Sequence, residues 1–274
     1  MEGQRLRAWR PAVPGVAEVL HARFVTHAYP PHTHDAWTLL VVDDGAIRYD
    51  LDRHGHGAVA DQVTLLPPHV PHDGRAATPG GFVKRVVYLD ADVVGRELTG
   101  AAVDHPALAD PLLRRRVAEL HRVLDGGPGE ELHAESRLAL VVDRLRGHLG
   151  GPVPRAPLPP RRLARDLRDL LDAHVTEGLT LEAAATRLGA HPTHLVRAFT
   201  AAFGLPPHAY LVGRRVDRAR AMLLAGQPAA AVAASAGFYD QAHLTRTFRR
   251  YLGTTPAKFA GDAARRTAGP PPAG

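Results

Sequence analysis

The chain has 274 residues, of which 45% are hydrophobic and 23% charged, with no cysteine and a formal net charge of +6. That length holds two domains with cores of their own, and the lack of cysteine excludes disulfides, thiolate zinc sites and cysteine nucleophiles. No run of about 18 apolar residues exists and the N-terminus carries no signal-peptide core, so a cytoplasmic protein without membrane association is expected. The charge is uneven: residues 161–274 hold 16 Lys+Arg against 8 Asp+Glu, while the first 160 hold 18 against 20. The back half is therefore the part expected to meet a polyanion.

Residues 1–15, with Trp9 among prolines and arginines, read as an irregular terminus; an arm that closes on ligand is the alternative. The next stretch reads as short strands. In "AIRYDLD", Ile47, Tyr49 and Leu51 alternate with Arg48, Asp50 and Asp52, the period of a half-buried strand. "TLLVVDDGAIRY" sets Asp44-Gly45 between two runs and predicts a hairpin there. "DQVTLLPP" and "FVKRVVYLD" continue the pattern, with "RHGHG" and "TPGG" as turns. Short strands without intervening helices point to an antiparallel sandwich or barrel.

From about Pro106 the period becomes helical. Leu113, Val117, Leu120 and Leu124 share one face of a first helix, and "EELHAESRLALVVDRLRGHL" makes a second. The pair is expected to cover the sheet or form a dimer seam. "GGPVPRAPLPP" (150–160) reads as a proline-stiffened linker. Its position divides a front domain, 1–149, from an all-helical domain, 161–262, and a disordered tail, 263–274.

The helical half carries an internal duplication. "HLVRAFTAAFG" (194–204) and "HLTRTFRRYLG" (243–253) match at histidine, leucine, arginine, phenylalanine and glycine, and Pro207 and Pro256 keep the same offset. Each copy is preceded by a short helix, "LEAAATRLG" or "AAAVAASAG", and a tight turn, which is the helix-turn-helix unit. Thr180 and Asp240 are the expected N-caps, with His191 ahead of Pro192 in the first copy. Leu195/Phe199 and Leu244/Phe248 pack each second helix onto its unit. The opposite faces carry Thr193, Val196, Arg197 and Thr200 in one copy and Gln241, Ala242, Thr245, Arg246 and Arg249 in the other. Glutamine suits adenine, arginine guanine, and alanine or threonine a thymine methyl. The 18-residue helix between the copies is about 27 Å long, of the order needed to hold two reading heads on successive major-groove faces.

Residues 161–262 resemble the DNA-binding domain of the AraC/XylS family of bacterial transcription regulators, most specifically through "GFYDQAHLTRTF" within 229–260. The resemblance implies seven helices, recognition helices at 192–203 and 241–252, and readers at Thr193, Val196, Arg197, Gln241, Ala242, Thr245 and Arg246. His191 stands where the family favours serine, and Val196 and Ala242 where it often places polar readers.

The front domain holds a second pattern. His32 and His34 in "YPPHTHDAW" share a strand face, Gly45 follows the next strand, and Pro67 leads to His72. This resembles the two motifs of the cupin fold, an antiparallel jelly-roll barrel, which in AraC-type regulators forms the effector-binding half. An organic effector pocket touching His32, His34, Trp37, Tyr49, His72 and Tyr88 is expected. Arg48 and Arg85 are candidates to pair an anionic effector, although alternation turns Arg48 outward. A three-histidine metal site at His32, His34 and His72 is the alternative, but Thr38 and Leu39 occupy the positions where a metal-binding cupin carries a carboxylate.

The whole reads as an α+β two-domain regulator: a cupin-like β-barrel with following helices, then tandem helix-turn-helix units. Its expected partners are double-stranded DNA, a small-molecule effector, a second copy in a homodimer and RNA polymerase. No cofactor or catalytic residue is expected. The rival from another class is a metal-dependent cupin enzyme, a dioxygenase or isomerase, fused to a DNA-binding module.

Overall fold

The structure is a computed structural model that describes residues 5–26, 28–150 and 160–267. They fall into two compact units, the described residues of Met1–Gly127 with Arg137–Arg155 and those of Pro128–Ser136 with Ala156–Gly274.

The first unit contains ten strands: β1 (Arg5–Trp9), β2 (Val16–Phe24), β3 (Ala28–His32), β4 (Trp37–Gly45), β5 (Ile47–Leu51), β6 (His54–Ala58), β7 (Val63–Leu66), β8 (His72–Ala76), β9 (Phe82–Leu89) and β10 (Ala107–Leu108). They build two antiparallel sheets, ordered β1-β2-β9-β4-β7-β10 and β3-β8-β5-β6. Leu20, Phe24, Leu40, Val42, Phe82 and Val86 from the first sheet meet Ile47, Tyr49 and Leu51 from the second in one core. The layered, cupin-like architecture follows, because each sheet buries one apolar face against the other.

Helices α1 (Ala91–Val94), α2 (Thr99–Asp104), α3 (Pro111–Leu124) and α4 (Glu131–His148) follow the strands. Leu113, Val117, Leu120 and Leu124 on α3 are all buried, and Arg114 Nη2 donates to the Val42 carbonyl at 2.9 Å. Thus α3 covers the outer face of the larger sheet. Six consecutive residues of β4, Trp37 to Val42, are buried as a result, which erases the alternation expected of a half-exposed strand.

Three local expectations change. Asp44-Gly45 does not turn a hairpin: β4 pairs with β7 and β9, β5 with β6 and β8, so the step is a corner between sheets. Gly45 has φ +73°, and a Cβ there would lie 2.1 Å from the Gly81 carbonyl oxygen, so only glycine fits. The hairpin lies instead at Asp52-Arg53, whose φ values of 45° and 69° are those of a primed turn, and "RHGHG" supplies strand β6. Finally, residues 5–9 are a paired edge strand on β2 and not an irregular terminus. Trp9 Nε1 donates to the Leu124 carbonyl at 3.3 Å and Arg7 pairs with Asp125.

Asp110 anchors the helical cover. It caps α3, accepting from the Leu112 and Leu113 amides at 2.9 and 3.1 Å. Its other oxygen accepts from Arg144 Nε at 2.5 Å and His148 Nε2 at 2.6 Å. The Arg144 hydrogen bond, reinforced by His148, holds its carboxyl well below the usual carboxylate range. A depressed folded pKa contributes stability that is present above the unfolded value and lost as pH falls through the folded one. Asp110→Ala is expected to cost about 2–3 kcal/mol at pH 7 through the lost cap and charged hydrogen bonds. That deficit should shrink as the wild type is taken below about pH 4, as read from urea unfolding at both pH values.

The second unit contains α5 (Pro160–Ala173), α6 (Leu181–Leu188), α7 (Pro192–Phe203), α8 (Pro207–Leu224), α9 (Ala229–Ser235), α10 (Gln241–Leu252) and α11 (Pro256–Thr267). Thr180 and Asp240 cap α6 and α10 through their side chains, and His191 Nδ1 accepts from the Thr193 amide at 3.3 Å. Gly204 and Gly253 end α7 and α10 in left-handed conformations, the usual glycine stop. The glycine of "GFYD" has a backbone reason too: Gly237 has φ +85°, and a Cβ would sit 2.6 Å from the Val175 carbonyl oxygen.

Residues 128–136 belong to this unit, ahead of the boundary expected at 150–160. Glu135 Oε2 accepts from the Leu181 and Glu182 amides at 2.5 and 3.3 Å, which ties that segment to the start of α6. Helix α11 reaches Thr267, so the first residues of the expected disordered tail, from 263, are helical. Residues 151–159 of the expected linker and 268–274 of the tail lie outside the described residues.

Candidate DNA-reading helices and ligand cavity

The two helix-turn-helix units are built by the same local logic. In α10, Leu244 and Phe248 are fully buried and pack with Val212, Val216, Val232 and Phe238. That fixes the helix's rotation, and Gln241, Ala242, Arg246 and Arg249 are exposed with Thr245 half-buried beside them. His243 is turned inward, its Nδ1 accepting from the Tyr239 amide at 3.3 Å. Tyr239, just before the helix, is 67% exposed and lies outside the helical period that marks the other outward residues.

In α7, Leu195 and Phe199 are buried as expected and Arg197 is exposed. Thr193 and Val196 depart from expectation: they are 0% and 2% exposed, so neither is presented to a groove in this structure. Val196 follows Leu195 by one residue, about 100° round the helix, at the flank of the packed face. Thr193 sits in the first turn, beside the capping His191 ring. Helix α8, with Val212, Val216, Ala219 and Leu223 buried along one side, joins the two units as a continuous rod.

The first unit holds a cavity of about 140 Å³, open to solvent on one side and lined from both sheets. His32, His34, Tyr49, His72 and Tyr88 all line it. Trp37 does not: it faces the opposite side of β4, donating from Nε1 to the Ala91 carbonyl at 2.9 Å. Successive strand residues point to opposite faces, so the β4 residues in the cavity are Thr38 and Leu40. The same parity corrects the cation. Arg85 faces outward and pairs with Asp43 through two 2.6 Å hydrogen bonds, and Arg48 is exposed. Lys84, one residue earlier on β9, points inward and is 8% exposed. Its ammonium lies 4.3 Å from the Tyr29 ring centroid.

The lining is polar where it is most buried. The hydroxyls of Thr38, Tyr49 and Thr64 are buried in this lining; those of Tyr49 and Thr64 act on each other, while that of Thr38 has no partner among the described residues. Native interiors rarely leave such a group unpaired, so Thr38 offers a hydrogen-bonding group to the cavity that it lines. Burial pushes the phenols of Tyr29, Tyr49 and Tyr88 up to about 12. It pulls His34 down to about 4, lowers His72, and brings Lys84 down to about 8. Near neutral pH the cavity therefore presents the neutral imidazoles of His34 and His72 and neutral phenols beside the Lys84 ammonium.

His32, His34 and His72 place their ring nitrogens within 4.8 Å of one another. His32 Nδ1 donates to the Pro30 carbonyl at 2.7 Å and His72 Nδ1 to the Val70 carbonyl at 3.0 Å, which leaves Nε2 lone pairs for a ligand. The set nevertheless fits a resident divalent cation poorly. No carboxylate stands at Thr38 or Leu39, and Lys84 adds a positive charge that acts on both His34 and His72. Elemental analysis of the untagged chain, purified without chelator, is expected to find far less than one transition metal per chain, with no change in His72→Ala. Near-stoichiometric metal lost in that variant would restore the metal-site alternative.

Comparison with known proteins accords with both halves. Residues 14–142 match the AraC-like ligand binding domain family, and residues 184–261 match a helix-turn-helix domain family. The HTH-type transcriptional regulator YbfI of Bacillus subtilis is 23% identical over 236 residues, 83% of this chain and 85% of that protein. The virulence regulon transcriptional activator VirF of Yersinia enterocolitica is 24% identical over 197 residues, 66% of this chain and 69% of that one. A solved structure of the AraC-like transcriptional activator CuxR aligns over 79% of this chain and 80% of its own, at 16% identity and a TM-score of 0.41. The chain belongs to the AraC/XylS family of DNA-binding transcription regulators, with a ligand-binding domain ahead of its helix-turn-helix domain.

Proposed function

We propose that the cavity between the two sheets is the effector site and that its occupation changes how the helical unit binds DNA. The observation that carries this reading is the convergence of buried polar groups, the hydroxyls of Thr38, Tyr49 and Thr64 and the ammonium of Lys84, on one apolar-walled cavity in the ligand-binding half. Ligand pockets combine apolar walls with a few convergent polar groups in this way. An effector acts by binding one DNA-competent arrangement better than another. Gln241, Ala242, Thr245, Arg246 and Arg249 on α10, with Arg197 on α7, are the proposed DNA-facing residues. The two helices address successive major-groove faces of one duplex.

In this reading the chain is not an enzyme. It works in the cytoplasm as a homodimer and acts on transcription through RNA polymerase at its promoters. Binding-site selection from random duplexes with the full chain tests the DNA half, followed by affinity measurements with and without a pool of small metabolites. A consensus of two blocks about one helical turn apart is expected, with an affinity that responds to the pool. The response should vanish in Leu40→Trp, which fills the cavity. Absence of any consensus would overturn sequence-specific reading, and a response that persists in Leu40→Trp would move the effector elsewhere.

A further inference from the structure

We infer that the effector is a small organic anion whose charged group sits against Lys84 Nζ. The inference rests on the cavity being the effector site, and it names the chemical class that site selects.

The argument begins with the desolvation of Lys84. An ammonium taken out of water is costly unless a counter-charge accompanies it. Several cations of the first unit have a carboxylate partner, Arg85 with Asp43, Arg7 with Asp125 and Arg75 with Asp73, and exposed arginines such as Arg48 are met by water. Lys84 has no such partner among the described residues. It faces the Tyr29 ring at 4.3 Å and the Phe82 ring at 5.8 Å. Ring faces compensate a buried cation only in part, so the ammonium keeps donors for a ligand.

The other charged group of the lining is Asp73. Its Oδ1 accepts from the Asp50 amide at 2.8 Å and its Oδ2 lies 3.5 Å from Arg75 Nη1; within the cavity its charge acts on His72 and makes no ion pair with Lys84. The remaining titratable neighbours are the histidines and tyrosines, which burial keeps neutral where their titration shifts. The cavity thus carries one uncompensated positive charge. An anion completes it, a cation is repelled, and a neutral ligand leaves Lys84 unpaired. The Nε2 lone pairs of His32 and His72 suit a hydroxyl of the same molecule.

The test uses four acids, acetate, lactate, benzoate and 4-hydroxybenzoate, each against its own primary amide, titrated calorimetrically into the full chain after dialysis against chelator. At least one acid should bind wild type tenfold or more tightly than its amide. Lys84→Met should abolish that preference and Lys84→Arg retain it, with circular dichroism showing both folded. Amides that bind as well as acids would overturn the charge inference while leaving the cavity as effector site. An acid preference that appears only on adding Zn²⁺ and disappears in His72→Ala would transfer the counter-charge from Lys84 to a metal. Failure of all eight compounds to bind would also overturn it. The effector-site reading itself would fall separately, on a metabolite response unchanged by Leu40→Trp.

Discussion

Phe248→Ala is expected to cost the helical unit about 3–5 kcal/mol and to abolish specific DNA binding by unfolding the second helix-turn-helix. Phe248 is fully buried on α10 and meets Phe259 of α11 edge-on, ring centroids 5.4 Å apart and planes at 69°. Its ring also fills the space among Val212, Val216, Val232 and Leu244, contributed by α8, α9 and α10. Truncation therefore removes the apolar burial of a whole ring and leaves a cavity at the meeting point of several helices. Those helices are short and cannot stand without packing. In urea unfolding of the full chain, the far-ultraviolet signal of the helical unit should fall at lower denaturant while the β-rich unit keeps its midpoint. A variant as stable as wild type would show that α10 is rotated away from its described packing and that its outward face is a different set of residues.

The parts of the molecule that were legible in the sequence are those governed by neighbours along the chain. Caps at Thr180 and Asp240, glycine stops at 204 and 253, and the Leu244/Phe248 pair act within a helix or its flanking turn, so a local pattern carries them. The resemblance to a known family then supplied the arrangement of the two units. The β-half was legible in class but not in detail. Whether Asp44-Gly45 turns a hairpin depends on which distant strands pair with β4 and β5, and no local signal encodes that choice. Parity was the other weak point. Because α3 and the second sheet cover both faces of β4, its first six residues are all buried and, Thr38 apart, apolar, so Trp37 is not separated from Thr38 by alternation. The same one-residue ambiguity on β9 favoured Arg85 as the cation over Lys84. The period-2 run Phe82, Lys84, Val86 and Tyr88 was the available signal, since Phe82, Lys84 and Tyr88 all reach the cavity. In α7, the burial of Thr193 and Val196 depends on tertiary surroundings that helical periodicity does not describe.

Arg246→Ala is expected to leave the fold intact and to weaken operator binding by about 1–3 kcal/mol, roughly 5- to 150-fold in Kd. Arg246 is exposed and makes no ion pair among the described residues, so its loss removes no internal contact and the unfolding midpoint should not move. Its place on α10, opposite the buried Leu244 and Phe248, directs the guanidinium outward between Ala242 and Arg249. A guanidinium entering the major groove donates two parallel hydrogen bonds to guanine O6 and N7. Losing them penalises the cognate site more than its variants, so the affinity ratio between the selected consensus and single-base mutants should collapse at one position only. A phosphate contact behaves differently. Its loss weakens all sequences alike and reduces the slope of log K against log salt by about one. Competition binding of wild type and Arg246→Ala against a set of single-base operator variants, at two salt concentrations, separates the two. Uniform weakening with a reduced slope would move Arg246 from base reading to the phosphate backbone. Base discrimination by α10 would then rest on Gln241 and Arg249, the other long polar side chains proposed on that helix to face DNA.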